Sequence, residues 1–263
     1  MHLPSGSGRG RAAIIAALLA LGLAGCGGGG TPDPAPPASS AATPAGPDAR
    51  TQFAGLAASA LDRRYAALYT FTGDDGVPRN VVAKVATDGS WRVDIANGAL
   101  GGTADVSIVH NMNGVYQCSV SMTGAPINAG CVHVAAKGEK VPRRYDPQVQ
   151  RLFRQWLTVF TDRDSALSVA AVKPLDGAQG GACYSVDSTS ASLDAPVDIG
   201  VYCYAGDGLL TAARVGFGTL KLVKQVGAPA TVEFPGPEVG GEPMTMSGSA
   251  GGSDPSAGPS AAG

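Results

Sequence analysis

Six Asx-Gly pairs punctuate the middle of this chain and restrict its possible folds more than any other feature. Asp75-Gly76, Asp88-Gly89, Asn97-Gly98, Asn113-Gly114, Asp176-Gly177 and Asp207-Gly208 favour the positive φ angles that tight hairpin turns require. Most stand between short runs of period-two alternation. Trp91, Val93 and Ile95 fall on one face and Arg92 and Asp94 on the other, as in a strand with one buried side. The runs "VYQCSV", "ACYSV" and "IGVYCYA" carry the aromatic and β-branched residues that strands favour. Hairpins joined one after another predict a mainly antiparallel sheet in meander order.

Two segments depart from that pattern. "FAGLAASALD", Phe53 to Asp62, is alanine-rich, lacks proline and places Phe53, Leu56, Ala57, Ala60 and Leu61 at helical spacing. "DPQVQRLFRQWLTVF", from Asp146 to Phe160, predicts a second helix. Asp146 can cap it and Pro147 suits its first turn, while Val149, Leu152, Phe153, Trp156, Leu157 and Phe160 form one apolar stripe. The expected class is α+β, mainly antiparallel β: a curved meander half-barrel packed on one or two amphipathic helices. Such a sheet either closes on a solid core or curls around the helix and leaves a concave apolar surface. The six stripe residues are then either core or the lining of a ligand site.

The ends of the chain have a different composition. "GRGR" is followed by an uncharged apolar run, Ala12 to Leu23, that shortens to small residues before Cys26 and the glycine block from Gly27. The run falls short of the ~20 apolar residues of a spanning helix, and its arrangement is that of a signal peptide, residues 1–25. "LAGC" at residues 23–26 resembles the bacterial lipobox, in which the cysteine receives a diacylglycerol and becomes the first residue of the mature protein. That resemblance implies acylation at Cys26, with palmitate-like chains anchoring the domain to the extracytoplasmic face of the cell membrane. Each buried methylene contributes ~0.8 kcal/mol, so two or three chains hold stably where one does not. Residues 26–47, rich in Gly, Pro and Ala, read as a tether, residues 48–234 as the domain, and residues 235–263 as a disordered tail.

Four further cysteines, Cys118, Cys131, Cys183 and Cys203, allow three pairings. Proximity in a meander favours Cys118 with Cys131 and Cys183 with Cys203, and export favours their oxidation. Without a C-x-x-C pair, and with His110 and His133 isolated, a metal site is not expected. Nor is an enzyme or a cofactor. The chain lacks a G-x-S-x-G elbow and an H-E-x-x-H helix. The carboxylates of "TGDDGVP" and "DRD" sit in contexts of turns and helix exits. A formal net charge of −2 without a basic run after Arg11 argues against nucleic acid as partner.

The segments "ALYTFTG", "SWRVDIANG", "SIVHNMNGVYQC" and "CYSV…YCYAGDGLL", in that order after a helix and a lipobox, resemble actinobacterial lipoproteins whose domain is similar to the LolA and LppX/LprG lipid carriers. The resemblance runs from Gln52 to Val226. It implies an open half-barrel covered by helices on its concave side, with acyl chains held between them. The expected function is that of a monomeric envelope lipoprotein binding an apolar ligand, a lipid, against Val149, Leu152, Phe153, Trp156, Leu157 and Phe160. The other reading is a ligand-free interaction or sensory module whose core those side chains fill.

Overall fold

The computed structural model describes residues 48–122, 128–189 and 197–247. The expected signal peptide, Cys26, the expected tether to Pro47 and residues 248–263 lie outside the described residues. The chain opens with helix α1, Ala49–Asp62, whose N-cap is Asp48; the Asp48 carboxylate accepts the Thr51 N–H at 2.7 Å. Six strands follow: β1 Tyr65–Thr72, β2 Pro78–Val85, β3 Trp91–Ala99, β4 Ala104–Asn111, β5 Gly114–Ser119 and β6 Cys131–Ala135. Two 3-10 turns, Arg143–Tyr145 and Gln148–Leu152, lead into helix α2, Gln155–Thr161. Five strands complete the sheet: β7 Leu167–Val172, β8 Ala182–Ser188, β9 Gly200–Tyr204, β10 Leu210–Val215 and β11 Gly218–Val226.

All eleven strands form one antiparallel sheet, in the order β6-β5-β4-β3-β2-β1-β11-β10-β9-β8-β7. It is two meanders joined where β1 pairs with β11. The outermost strands β6 and β7 do not pair, so the sheet stays open rather than closing into a barrel. The link from β6 to β7 runs from one edge of the sheet to the other, and it carries the 3-10 turns and α2 with it. Together with α1 these form a helical cap over the concave face.

Five of the six Asx-Gly pairs lie in links between consecutive strands, and the sixth does something else. Asn97 (φ 51°) and Gly98 sit inside β3, where the pairing with β4 slips between Ile95 and Ala99. This is a bulge, which bends a strand and raises its twist. A Cβ on Gly98 would lie 2.7 Å from methyl groups of Ile95 and Val106, so the bend needs glycine. The buried Asp105 carboxylate accepts the N–H groups of Asn97 (2.8 Å) and Met122 (2.7 Å) across it. The β3–β4 turn itself falls on Leu100, Gly101 and Gly102, all at positive φ.

The main core lies between sheet and cap. Phe53 of α1 has its ring centroid 4.8 Å from Phe160, 5.4 Å from Tyr184 and 5.9 Å from Tyr204, and Phe153 stands 5.1 Å from Tyr69. Such pairs contribute about 0.5–1.5 kcal/mol each beyond their area. Both disulfides, Cys118–Cys131 between β5 and β6 and Cys183–Cys203 between β8 and β9, lie on the other, convex face. Each closes a loop of 13 or 20 residues and restrains the unfolded chain by about 3 kcal/mol.

Two expectations change. The helix expected over residues 146–160 is split: Gln148–Leu152 winds as a 3-10 turn, and the α-helix begins only at Gln155, after Arg154 at φ −140°. A spacing of three is shared by both helix types, so Val149 and Leu152 face inward either way. The domain also does not stop at Phe234. Residues 228–247 wrap around the β6 edge as a clasp. On the convex face Phe234 packs on Tyr116 at 4.7 Å, and the Glu233 carbonyl accepts from Arg92. At the edge, Cys131 donates to the Pro237 carbonyl and Val239 donates back to the Cys131 carbonyl, at 2.8 and 2.9 Å. On the concave side the buried Gln117 amide exchanges hydrogen bonds with the Met244 backbone, at 2.6 and 2.9 Å. Leu100 and Gly101 donate to the carbonyls of Thr245 and Met246.

Candidate functional site

The cap and the sheet part at one end, around the bulge in β3. The cleft there has a volume of about 320 Å³. Its apolar lining is Phe71 at the end of β1, Ile95 beside the bulge, Val149 from the 3-10 turn, Phe217 from the β10–β11 turn and Met246 from the clasp. Three of these positions are set by local devices. Phe217 stands between Gly216 and Gly218 at a hairpin tip, and a Cβ on Gly218 (φ 149°) would lie 2.5 Å from the Thr72 carbonyl oxygen. Ile95 is carried by the bulge, and Met246 by the hydrogen bonds of the clasp.

The rim is charged. Arg79 on β2 pairs with Asp75 in the preceding turn. That hydrogen bond, helped by the Val77 N–H, holds the Asp75 carboxyl below its ordinary range. On the cap side Asp146 is buried and accepts Arg151 Nε at 2.7 Å and Gln150 Nε2 at 3.1 Å. Asp146 therefore does not cap a helix as its place before Pro147 suggests; it pins the 3-10 turn that forms one wall.

From the cleft an aromatic path leads into the core. Phe71 meets Phe217 at 6.0 Å, Phe217 meets Trp156 at 6.2 Å, and Trp156 meets Tyr202 at 6.2 Å. Burial raises the hydroxyl pKa of Tyr69, Tyr202 and Tyr204 and pushes that of Tyr65 up to about 12, so these phenols stay neutral in the interior.

The six stripe residues do come together, as interior. Val149, Leu152, Phe153, Trp156, Leu157 and Phe160 are each 0–3% exposed and belong to one hydrophobic cluster with α1 and the sheet. Only Val149 reaches the cleft at the bulge. The remaining lining, Phe71, Ile95, Phe217 and Met246, carries no helical period; an aromatic residue bracketed by glycines, as in "GFG", is the one signal in the sequence that points to it. The other polar groups weighed in the sequence find ordinary partners. Asp162 accepts the Asp164 N–H and the Ser165 hydroxyl in a turn, at 3.0 Å each. His133 packs edge-on to Tyr116 at 5.1 Å, and His110 stacks on Trp91 at 5.5 Å. Among the described residues no three His, Cys, Asp or Glu side chains come together in a way that could hold a metal ion, and no helix is long and apolar enough to cross a membrane.

Compared with known proteins, the sequence matches no family model and no curated relative, so what the chain can do is argued from its geometry.

Proposed function

We propose that this protein is a cell-envelope lipoprotein, anchored through Cys26 to the extracytoplasmic face of the membrane, that binds an apolar ligand, a lipid, between its curved sheet and the helical cap. The observation that carries this reading is the cleft at the β3 bulge. An open eleven-strand sheet wraps an aromatic interior, and the interior meets solvent through Phe71, Ile95, Val149, Phe217 and Met246. At about 320 Å³ the cleft lies at the small end of ligand sites, with room for the tip of an acyl chain. A longer chain requires the cap to shift, and the cap on that side is a five-residue 3-10 turn and a seven-residue helix, whose displaced core contacts the buried surface of the ligand would have to replace. The resemblance of the sequence to lipid carriers supports the same reading, and the role is one of binding rather than catalysis, in a monomer.

One observation favours the second reading, an envelope interaction or sensory module without a ligand: the stripe from Val149 to Phe160 is packed against aromatic and aliphatic partners. The two readings separate in one experiment. The chain from residue 26 with Cys26→Ala, purified and measured by native mass spectrometry, is expected to carry or take up one lipid. It should lose that uptake when Phe217→Asp places a charge in the cleft. A bare mass that no added lipid changes, at any lipid concentration below micelle formation, establishes the second reading instead.

A further inference from the structure

A second cleft, of about 290 Å³, opens at the opposite end of β3, between the start of that strand, the end of β4, the loop after β6 and the outer side of α2. Its character is different. Trp91 and His110 stack with their rings 5° from parallel and form one wall, while Arg154 and Lys140 line the other side. Among the described residues neither of these cations has a carboxylate within ion-pair distance, although six such pairs are formed elsewhere. Arg154 donates one N–H to the Leu61 carbonyl at 2.7 Å, and Arg64 donates to that same oxygen at 3.0 Å. Two guanidinium groups therefore gather at the C-terminus of α1 with only a carbonyl between them.

The electrostatic signs agree. Burial, and then the charge of Arg64, lower the Arg154 pKa against smaller opposing effects of Tyr65 and Asp62; burial, and then the charges of Lys137 and Arg154, lower that of His110. One acid, Glu139, lines the same cleft, and its carboxylate accepts the Ala136 N–H at 3.0 Å within its own loop. Arg154 is half-buried with the Asp62 carboxylate acting on it only from beyond ion-pair distance, so its burial costs free energy in the empty protein that an anion removes. Guanidinium forks match oxyanions with paired hydrogen bonds, and the flat Trp91–His110 wall suits the group that carries the oxyanion.

We propose that this cleft binds a phosphoryl oxyanion, free or on a lipid headgroup, through Arg154 and Lys140 against the wall of Trp91. The assignment does not depend on an apolar ligand at the bulge end. The full chain, at constant ionic strength, is titrated by tryptophan emission with inorganic phosphate, with dihexanoyl phosphatidylglycerol below its micellar concentration, and with the zwitterionic phosphatidylcholine of the same chain length. A saturable change is expected with phosphate or phosphatidylglycerol and a much weaker one with phosphatidylcholine. Tighter binding of phosphatidylglycerol than of phosphate assigns the headgroup, and the reverse assigns the free anion. Arg154→Gln should weaken binding about tenfold or more, and Lys140→Gln about threefold to tenfold. Because Arg154 also holds the end of α1, the exposed Lys140 carries the test if Arg154→Gln lowers the melting temperature sharply. No saturable response to either anion, or an affinity unchanged in Lys140→Gln, overturns the proposal.

Discussion

The two edges of the sheet are secured in opposite ways. At β6 the chain itself passes around the edge: the clasp lies on the convex face at Phe234, pairs with the strand end at Pro237 and Val239, and locks onto Gln117 on the concave side. At β7 nothing among the described residues pairs with the outer side of the strand, and Ser168, Ala170, Ala171 and Val172 are exposed. That wing is held from within instead, by Phe53 of α1 against Tyr184, Tyr202 and Tyr204. An unprotected edge invites strand addition, and the two wings differ in whether the protein prevents it by backbone pairing or leaves it to the packing beneath.

Three substitutions or deletions test that contrast. Phe53→Ala removes the inner anchor and should cost the most, about 3–5 kcal/mol in urea unfolding, with amide exchange rising first in β8 and β9. A loss below about 1 kcal/mol would mean that the interior collapses to fill the space and that the wing is not anchored there. Ending the chain after Phe234 takes away the edge pairing and leaves the buried Gln117 amide without its Met244 partner. The expected cost is about 2 kcal/mol, with faster exchange at Cys131 and in β5 while β8 and β9 stay protected. An unchanged melting temperature would make the clasp an ornament. Ala170→Lys, on the exposed outer face of β7, should alter stability by less than about 0.5 kcal/mol and reduce self-association on heating, as charges on open edges do. A cost above about 1 kcal/mol would reveal that the edge is covered after all.

The contrast also marks what sequence reasoning could reach. Strands and turns were legible because alternation and Asx-Gly pairs are local; the start of α1 was not, since the helix begins at Ala49 behind its Asp48 cap and not at Phe53. The disulfides were legible because each joins neighbouring strands, Cys118 facing Cys131 and Cys183 facing Cys203 in register. The clasp was not. Its Gly- and Pro-rich composition cannot build a core, but pairing with a strand edge requires only backbone groups. Nor was the order of the wings, since β1 meets β11 through contacts separated by most of the domain. At the candidate site the apolar stripe was legible as a covered face, and what covers it was not: helical periodicity reports that a face is covered, never by what. The cleft at the bulge is built from a hairpin tip, a bulge and the clasp, three features with no common period.

The seam between β1 and β11 has a consequence for how the molecule is made. Ala66 pairs with Val226 and Thr72 with Thr219, so the central strand of the sheet is among the first synthesised and its second partner is the last. While the intervening chain is being added, β1 has one edge satisfied by β2 and the other bare, in the middle of what will be the interior. Contacts of such long separation form slowly, and a nascent chain with an open central edge is prone to wrong pairings. The finished sheet is vulnerable at β7, but the growing one is vulnerable at its centre, and β11 is the strand whose arrival ends that exposure.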